Sequence, residues 1–435
     1  MVPPETSVKS ESPSSLRTVV AASFIGTAIE WYDFFLYGTA AALVFNKLFF
    51  PTVDPLTGTM AAFATYAVGF IARPLGGIVF GHYGDRIGRK SMLILTLMLV
   101  GLSTFAIGLL PTYESIGIAA PLLLVLLRFV QGFGVGGEWA GAVLMVVEHG
   151  SGGKRGYYAS WVQAGSPVGL LLATIVFQTV SHSMNEQEFL TWGWRVPFLF
   201  GIVLTGVGYF IRLKVIESPL FREAMAKAPM ESPPIVEVFR AHPKNVLLAM
   251  GARMAENAYF YFISVFGLSY ATKQLGIPQG VMLNAIIYAA VVHTFATPLF
   301  GVLSDRIGRR PVYLGGALFM AAFAFPFFEL LAMKTTLFVT VAVVVGLIGH
   351  AAMYGPQAAF LSELFGTRVR YTGASLGYQL AAPFSGGLAP LVATALLAWS
   401  GNEPWPVAVY MIVLATITIV AVYLAAETNR AELRG

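Results

Sequence analysis

The chain has 435 residues, 57% of them hydrophobic and only 11% charged, with a mean hydropathy of +0.72. Soluble domains carry about 25% charged residues, so this composition excludes a soluble globular protein and points to one that lives in a bilayer. Cysteine is absent, which excludes disulfides and thiolate metal sites, and the net charge of +5 sits in separate loops rather than in one nucleic-acid-binding patch.

Residues Met1–Ser15 are rich in Pro, Ser and Glu and lack the apolar core of a cleavable signal, so 1–17 read as a disordered leader. Beyond them, apolar runs recur that reach the roughly 20 residues a bilayer-spanning helix needs. They predict spans over 18–45, 58–80, 91–110, 121–147, 158–180, 195–216, 245–271, 280–300, 312–331, 335–359, 372–399 and 405–425. The fold class is therefore an all-α polytopic membrane protein with twelve transmembrane helices. The longest polar stretch, 217–244, is rich in Pro and charge and separates a six-helix unit at 18–216 from a second at 245–425, with a tail at 426–435.

Basic residues concentrate in alternate loops: Arg86, Arg89 and Lys90; Lys154 and Arg155; Arg222, Lys227, Arg240 and Lys244; Arg306, Arg309 and Arg310; Arg368 and Arg370. The intervening loops hold little beyond Lys47, Lys273 and Lys334. Positive loops stay in the cytoplasm, so both termini are expected there, in a multi-pass protein of the inner membrane.

The two halves echo each other. GHYGDRIGRKS at 81–91 returns as GVLSDRIGRRP at 301–311, each after its half's second span. A quieter echo pairs VEHGSGGKRGYYAS (147–160) with SELFGTRVRYTGAS (362–375), where an acid lies seven residues before an arginine and twelve before a serine. Two echoes in nearly constant register mark an internal repeat.

Gly-x-x-x-Asp-Arg-x-Gly-Arg-Arg/Lys between spans two and three resembles the signature loop of the major facilitator superfamily, and RFVQG at 128–132 its fourth-span arginine motif. Closer in, the chain resembles the metabolite:proton symporter family. That likeness rests on IEWYDFFLYG (29–38), ARPLGGIVFGHYGDRIGRK (72–90), QGFGVGGEWAGA (131–142), WGWRVPFL (192–199), ESPLF (217–221) and the run 362–373. AALVFNKLFFP (41–51) and FLTWGWRVPFLF (189–200) look most like its shikimate-transporter branch. The resemblance implies two pseudo-symmetric six-helix bundles, alternating access, and proton-driven uptake of a small organic acid or zwitterion, with protons as coupling ion and no other cofactor. AGSPVGL at 164–170 departs from the fifth-span motif of the superfamily's antiporters and argues against antiport.

The repeated basic loop reads either as a topology signal or as a salt-bridged gate. For the gate the candidates are Gly81, Asp85, Arg86, Gly88, Arg89 and Glu148 in the first half, and Arg155, Asp305, Arg306, Arg309, Glu363 and Arg370 around the equivalent cluster. Asp85 is suited to cap a helix N-terminus or to pair with arginine, and a latch of this kind needs a two-state interface.

Charges inside spans are the stronger signal, because a carboxylate at bilayer depth costs at least about 2.5–3.5 kcal/mol on insertion scales. Glu30 and Asp33 share a helical face with Tyr37. Arg128 and Glu138 lie in span four and Arg73 in span two. Depth suggests Asp33 with Arg128, and Arg73 with Glu30 or Glu138; the bland alternative is mutual neutralisation for packing, with Arg73 snorkelling. Proton coupling is accordingly assigned to Asp33, with Glu30, Arg128 and Glu138 as its partners or alternatives.

In the second half Arg253, Glu256 and Asn257 share a face near Tyr261, either as a local ion pair or as ligands. His293 and His350 lie in spans eight and ten and read first as hydrogen-bonded structure rather than as a relay. Candidate substrate contacts are Arg128, Tyr37, Gln131, Trp139, Trp161, Gln163, Glu256, Asn257, Tyr261, Tyr354, Gln357 and Gln379, each weak alone because aromatic residues are common in packing. Arg128 suits a carboxylate, which favours a shikimate-like monocarboxylate; the acidic residues leave open a zwitterion such as proline or betaine, or a di- or tricarboxylate.

Rival classes fare worse. There is no phosphate-binding Gly-x-x-x-x-Gly-Lys-Ser/Thr loop for an ATP-driven pump. The six histidines form no HExxH motif and Gly-x-Ser-x-Gly is missing, so no enzyme is indicated. A membrane sensor that does not transport stays open. The expected partners are substrate, protons and lipid, in a monomer, with no nucleic acid.

Overall fold

The computed structural model describes residues 16–87, 89–149, 153–214, 234–365 and 370–430, apart from the side chains at 81, 82, 84–87, 89, 90, 145, 148, 149, 214, 234 and 371. The described residues are helices and short connections, as they must be where lipid offers the backbone no hydrogen bonds and each helix satisfies its own. Among the described residues, eleven helices are long and apolar enough to cross a membrane. The remaining expected span, seven, is Pro243–Tyr261 running through a π-turn at Phe262–Phe266 into Gly267–Lys273. It is less apolar than the others because Arg253, Glu256 and Asn257 sit on it.

Three differences from the sequence reading have physical causes. Spans two (Pro55–Ile87) and eight (Gln279–Ile307) continue through the GHYGDRI and GVLSDRI segments, so the repeated motif is the last two turns of a helix rather than a loop. Nothing in those seven residues breaks a helix; the turn comes at Gly308, whose φ of 109° suits a residue without Cβ. Span four divides into Ala119–Val135 and Trp139–His149, and span eleven into Arg370–Ala382 and Ala389–Trp399 around a π-turn at Pro383–Gly387. Part of the expected polar connection, Pro234–Ala241, is a short helix.

The packing repeats with an offset of six spans. Span one packs on spans five and six, two on four, and three on four and six; likewise seven on eleven and twelve, eight on ten, and nine on ten and twelve. Each half is thus a six-helix bundle of the same design. Between them, span five lies along eight and ten, and span two along eleven.

Close approach within the first bundle depends on glycine. A Cβ at Gly132 of span four would strike the Gly69 carbonyl of span two, and one at Gly69 would strike the Arg128 side chain. Midway through the molecule the halves meet on aromatic rings: Phe35 stacks on Phe260 at 5.0 Å, and Phe70 meets Tyr261 edge-on at 5.1 Å.

Candidate functional site

Two neighbouring cavities lie between the bundles. The first is lined by Glu30, Arg73, Glu138, Trp139, Tyr378 and Gln379 among others. The second is lined by Phe35, Arg253, Glu256, Tyr261, His350 and Tyr354 among others. Trp31 and Tyr378 line both, so span one from the first half and span eleven from the second form their common wall.

The first cavity holds unmet polarity. Arg73 is wholly buried, its guanidinium 4.3 Å from the Phe34 ring centre, 4.8 Å from Phe70 and 5.1 Å from Trp31. None of its three nitrogens has a hydrogen-bond partner among the described residues. Snorkelling does not occur, since the head stays inside this aromatic cage. Nor does Glu138 answer it: that carboxylate is ion-paired with Arg212 of span six, for which Gly26 of span one leaves room. Glu30 faces the same cavity.

Asp33 and Arg128 do not pair in this structure. Asp33 points toward spans three and six; its Oδ1 is buried without a partner among the described residues, close to Gly201. Arg128 lies over Phe34 and Tyr37, at 3.9 and 4.3 Å, and bonds to Gln131, which donates in turn to Thr104. Adjacent helical residues point about 100° apart, so the arginine that covers Phe34 misses the Asp33 face. Tyr37 donates to Thr65 at 2.7 Å. Arg128, Gln131 and Tyr37 therefore stand behind the aromatic wall, and the expected direct ligand role of Arg128 has no counterpart in either cavity lining. Trp161 also lies elsewhere, packed edge-on against Phe24 and Tyr157.

The second cavity is bordered by a connected network. Arg253 donates to Glu256 at 3.0 Å, to Gln357 at 3.2 Å and to Asn257 at 3.3 Å, with its guanidinium over the Tyr378 ring. Asn257 donates to Ser385. Gln357 donates to Glu256 at 2.6 Å and to the Tyr313 hydroxyl at 3.0 Å. A polar bridge from the first half reaches this network, as Trp139 donates to Gln163 and Gln163 to Gln357. Gln379 of span eleven donates to the Gly136 carbonyl of span four. His350 contacts Glu256 at 3.2 Å and His293 at 2.7 Å. Read singly, the histidines gave no hint of this contact. The signal was there in their positions midway along spans eight and ten, which the repeat makes packing partners.

At the face that carries both ends of the described chain, Asp305 accepts from the backbone N–H groups of Gly156 and Tyr157, both at 2.9 Å, and so caps span five across the bundle boundary. Arg309 pairs with Asp305 at 2.7 Å and with Glu363 at 3.2 Å, and Arg155 reaches Glu363 at 3.4 Å. Arg370 instead donates to the Ser362 and Phe365 carbonyls at the end of span ten, and Arg306 is exposed. The first-half gate candidates Gly81, Asp85, Arg86, Gly88, Arg89 and Glu148 lie outside the described residues or side chains. At the opposite face Lys273 donates to Thr59 and Gln178 to Asn284, so the bundles touch at both ends of the cavities.

The model of the Major Facilitator Superfamily matches residues 23–370 and 248–434. The shikimate transporter of Escherichia coli is 41% identical over 97% of this chain and 97% of its own length. The glycine betaine/proline/ectoine/pipecolic acid transporter OusA of Dickeya dadantii is 35% identical over 97% of this chain and 85% of its own. Among solved structures, the E. coli proton:xylose symporter XylE is similar with a TM-score of 0.73 at 18% identity, covering 95% of this chain and 96% of that one.

Proposed function

Because the chain belongs to the major facilitator superfamily, a family of membrane transporters rather than enzymes, we propose that it takes up a small organic acid together with a proton by alternating access across the inner membrane, with the basic face in the cytoplasm. The observation that carries this reading is Arg73, a buried guanidinium with three unpartnered nitrogens on a cavity wall. A buried charge of that kind is costly unless something completes it, and the planar fork of arginine fits a carboxylate in bidentate fashion. A monocarboxylate of the shikimate kind is favoured by the 41% identical relative.

A second reading has its own observation. Glu30 lines the same cavity as Arg73 and offers an ammonium group a partner, which suits a zwitterion such as those named for OusA. Proton coupling is assigned to Asp33: its unpartnered buried oxygen suits a group that alternates between neutral and charged as the bundles rock, with Glu30 one turn away nearest the cavity. Opening at the basic face requires breaking the Asp305–span five cap and the Arg155–Glu363 pair. The transporter is read as a monomer.

The experiment is uptake into proteoliposomes of labelled shikimate, proline and glycine betaine under an imposed pH gradient, with Arg73→Ala beside the wild type. Uptake of shikimate that is lost in the variant supports the reading; unaltered shikimate affinity in Arg73→Ala removes the anchor, and uptake of proline or betaine alone selects the zwitterion.

A further inference from the structure

Glu256 lies where three side chains converge, those of Arg253, Gln357 and His350. Its Oε2 accepts from Arg253 Nη1 at 3.0 Å and Gln357 Nε2 at 2.6 Å, and the ion pair with Arg253 favours the carboxylate form. Its Oε1 faces His350 Nε2 at 3.2 Å, so that nitrogen carries the proton and donates. His350 Nδ1 then holds a lone pair and accepts from His293 Nε2 at 2.7 Å. The far nitrogen, His293 Nδ1, is left bare: it is buried and has no partner among the described residues. With Glu256 ionised, the two tautomers follow from it in series.

We propose that His293, His350 and Glu256 form a proton wire through the second bundle, and that a proton entering at His293 Nδ1 is delivered to Glu256 and frees Arg253 for the anionic substrate. The balance is complete without any other reagent. A proton binds His293 Nδ1, the proton on His293 Nε2 passes to His350 Nδ1, and the proton on His350 Nε2 passes to Glu256 Oε1. One proton enters, both rings invert their tautomer, neither ends as imidazolium, and Glu256 becomes a neutral acid that donates back to His350. The counter-charge of Arg253 is then gone. Arg253 lines the second cavity, adjoining the one where Arg73 waits, and a substrate carboxylate can replace Glu256 as its partner.

The other groups around the wire do not compete with it. Span seven presents Arg253 and Tyr261, span nine Tyr313, whose hydroxyl donates to the Ala252 carbonyl, span ten Tyr354, which packs against both rings, and span eleven Tyr378. Span five, packed along span eight, has its ionisable residues only near its ends, at Arg155, Tyr157, Tyr158 and His182. The phenols stay protonated over the range in which imidazoles titrate.

The inference rests on the transporter reading but is tested without a substrate. The full chain, labelled with nitrogen-15 histidine and reconstituted in liposomes, has six histidines to resolve, and spectra of His293→Asn and His350→Asn assign two of them. At high pH both rings are expected as Nε2–H tautomers; on acidification both convert together to Nδ1–H. In Arg253→Gln the joint conversion shifts to higher pH, because the charge that held Glu256 ionised is absent. Rings that titrate independently to imidazolium, or that keep their tautomers at every pH where the protein stays folded, overturn the wire. In the transport arm, with shikimate as probe, His293→Asn is expected to lose accumulation driven by a pH gradient and to keep shikimate exchange; normal accumulation overturns the proposal. If the wild type moves no shikimate, the substrate reading fails while the spectra still decide the wire. Asp33→Asn leaves the spectral switch intact, which separates this inference from the role given to Asp33.

Discussion

The two bundles repeat one design, yet they treat buried charge differently. In the first, Glu138 and Arg212 pair, while Arg73 and the Oδ1 of Asp33 have no partner among the described residues. In the second, Arg253, Glu256, Gln357, His350 and His293 are tied into one network. An unmet buried polar group costs about 1–3 kcal/mol, more if charged, and the second bundle ties its charged side chains to one another while leaving single nitrogens, Arg253 Nε and His293 Nδ1, without a partner among the described residues. The contrast assigns different tasks: unmet polarity waits for a ligand, and a connected network can change state as a unit.

The largest expected effect is at Asp33. Asp33→Asn mimics the protonated form permanently, so accumulation of shikimate against its gradient should vanish while exchange, which moves no net proton, persists. Proteoliposome accumulation and counterflow measured side by side check it. If the variant still concentrates substrate with normal pH dependence, the unmet oxygen in the first bundle is not the coupling site, and Glu30 becomes the next candidate.

Arg73→Ala comes second. A hydrogen bond to a charged group is worth about 1.5–3 kcal/mol, which at 1.4 kcal/mol per tenfold is roughly a 10- to 150-fold loss in affinity. Arg73→Lys should recover only part of it, because a point charge cannot reproduce the fork. Concentration-dependent exchange gives the affinity directly. By contrast, Arg128→Ala should act through packing, since Arg128 lies behind the aromatic wall: a loss of folded protein, read by thermal melting, is expected before a selective loss of affinity. An equal loss of affinity at Arg128 with normal melting would reverse the assignment of the two arginines.

Much of this was legible in the sequence. Apolar runs gave most of the spans within a few residues, because the bilayer imposes length and helicity, though not the seven-residue extensions of spans two and eight, and the DRIGR repeat gave the two-bundle design. The capping chemistry of Asp305 was also foreseeable from residue type. Pairing was not. Whether Glu138 meets Arg73 or Arg212, and whether Asp33 meets Arg128 or Gly201, depends on helix rotations of tens of degrees that spacing does not encode. Cysteine is absent from the chain, so the gate that was foreseen can be tested cleanly by introduced cysteines on either side of the cavities. A lost N-cap costs about 1 kcal/mol, so Asp305→Ala should raise labelling of cysteines facing the basic side several-fold, and Asp85→Ala by a similar factor if the repeat holds. Unchanged labelling in both argues against a gate.

The smallest effect is expected where charge is neither buried nor part of a network. Lys47 and Glu186 pair at 2.8 Å at the face opposite the gate, both largely exposed. The Lys47 ammonium holds the Glu186 carboxyl below its ordinary range. A depressed folded-state value contributes stability above the unfolded value and loses it as pH falls through the folded one, so the pair should help at neutral pH and fade in acid. Water and salt screen it, however, and exposed pairs are commonly close to nothing in measured stability. Glu186→Gln should therefore leave the melting temperature at neutral pH within experimental scatter, at low salt as at high. The same 2.8–3.4 Å geometry at Arg155–Glu363, where the carboxylate side chain is fully buried, should respond strongly to Glu363→Gln. Equal sensitivity at the two sites would show that burial is not what gives this protein's ion pairs their influence, and the contrast between its two bundles would lose its physical basis.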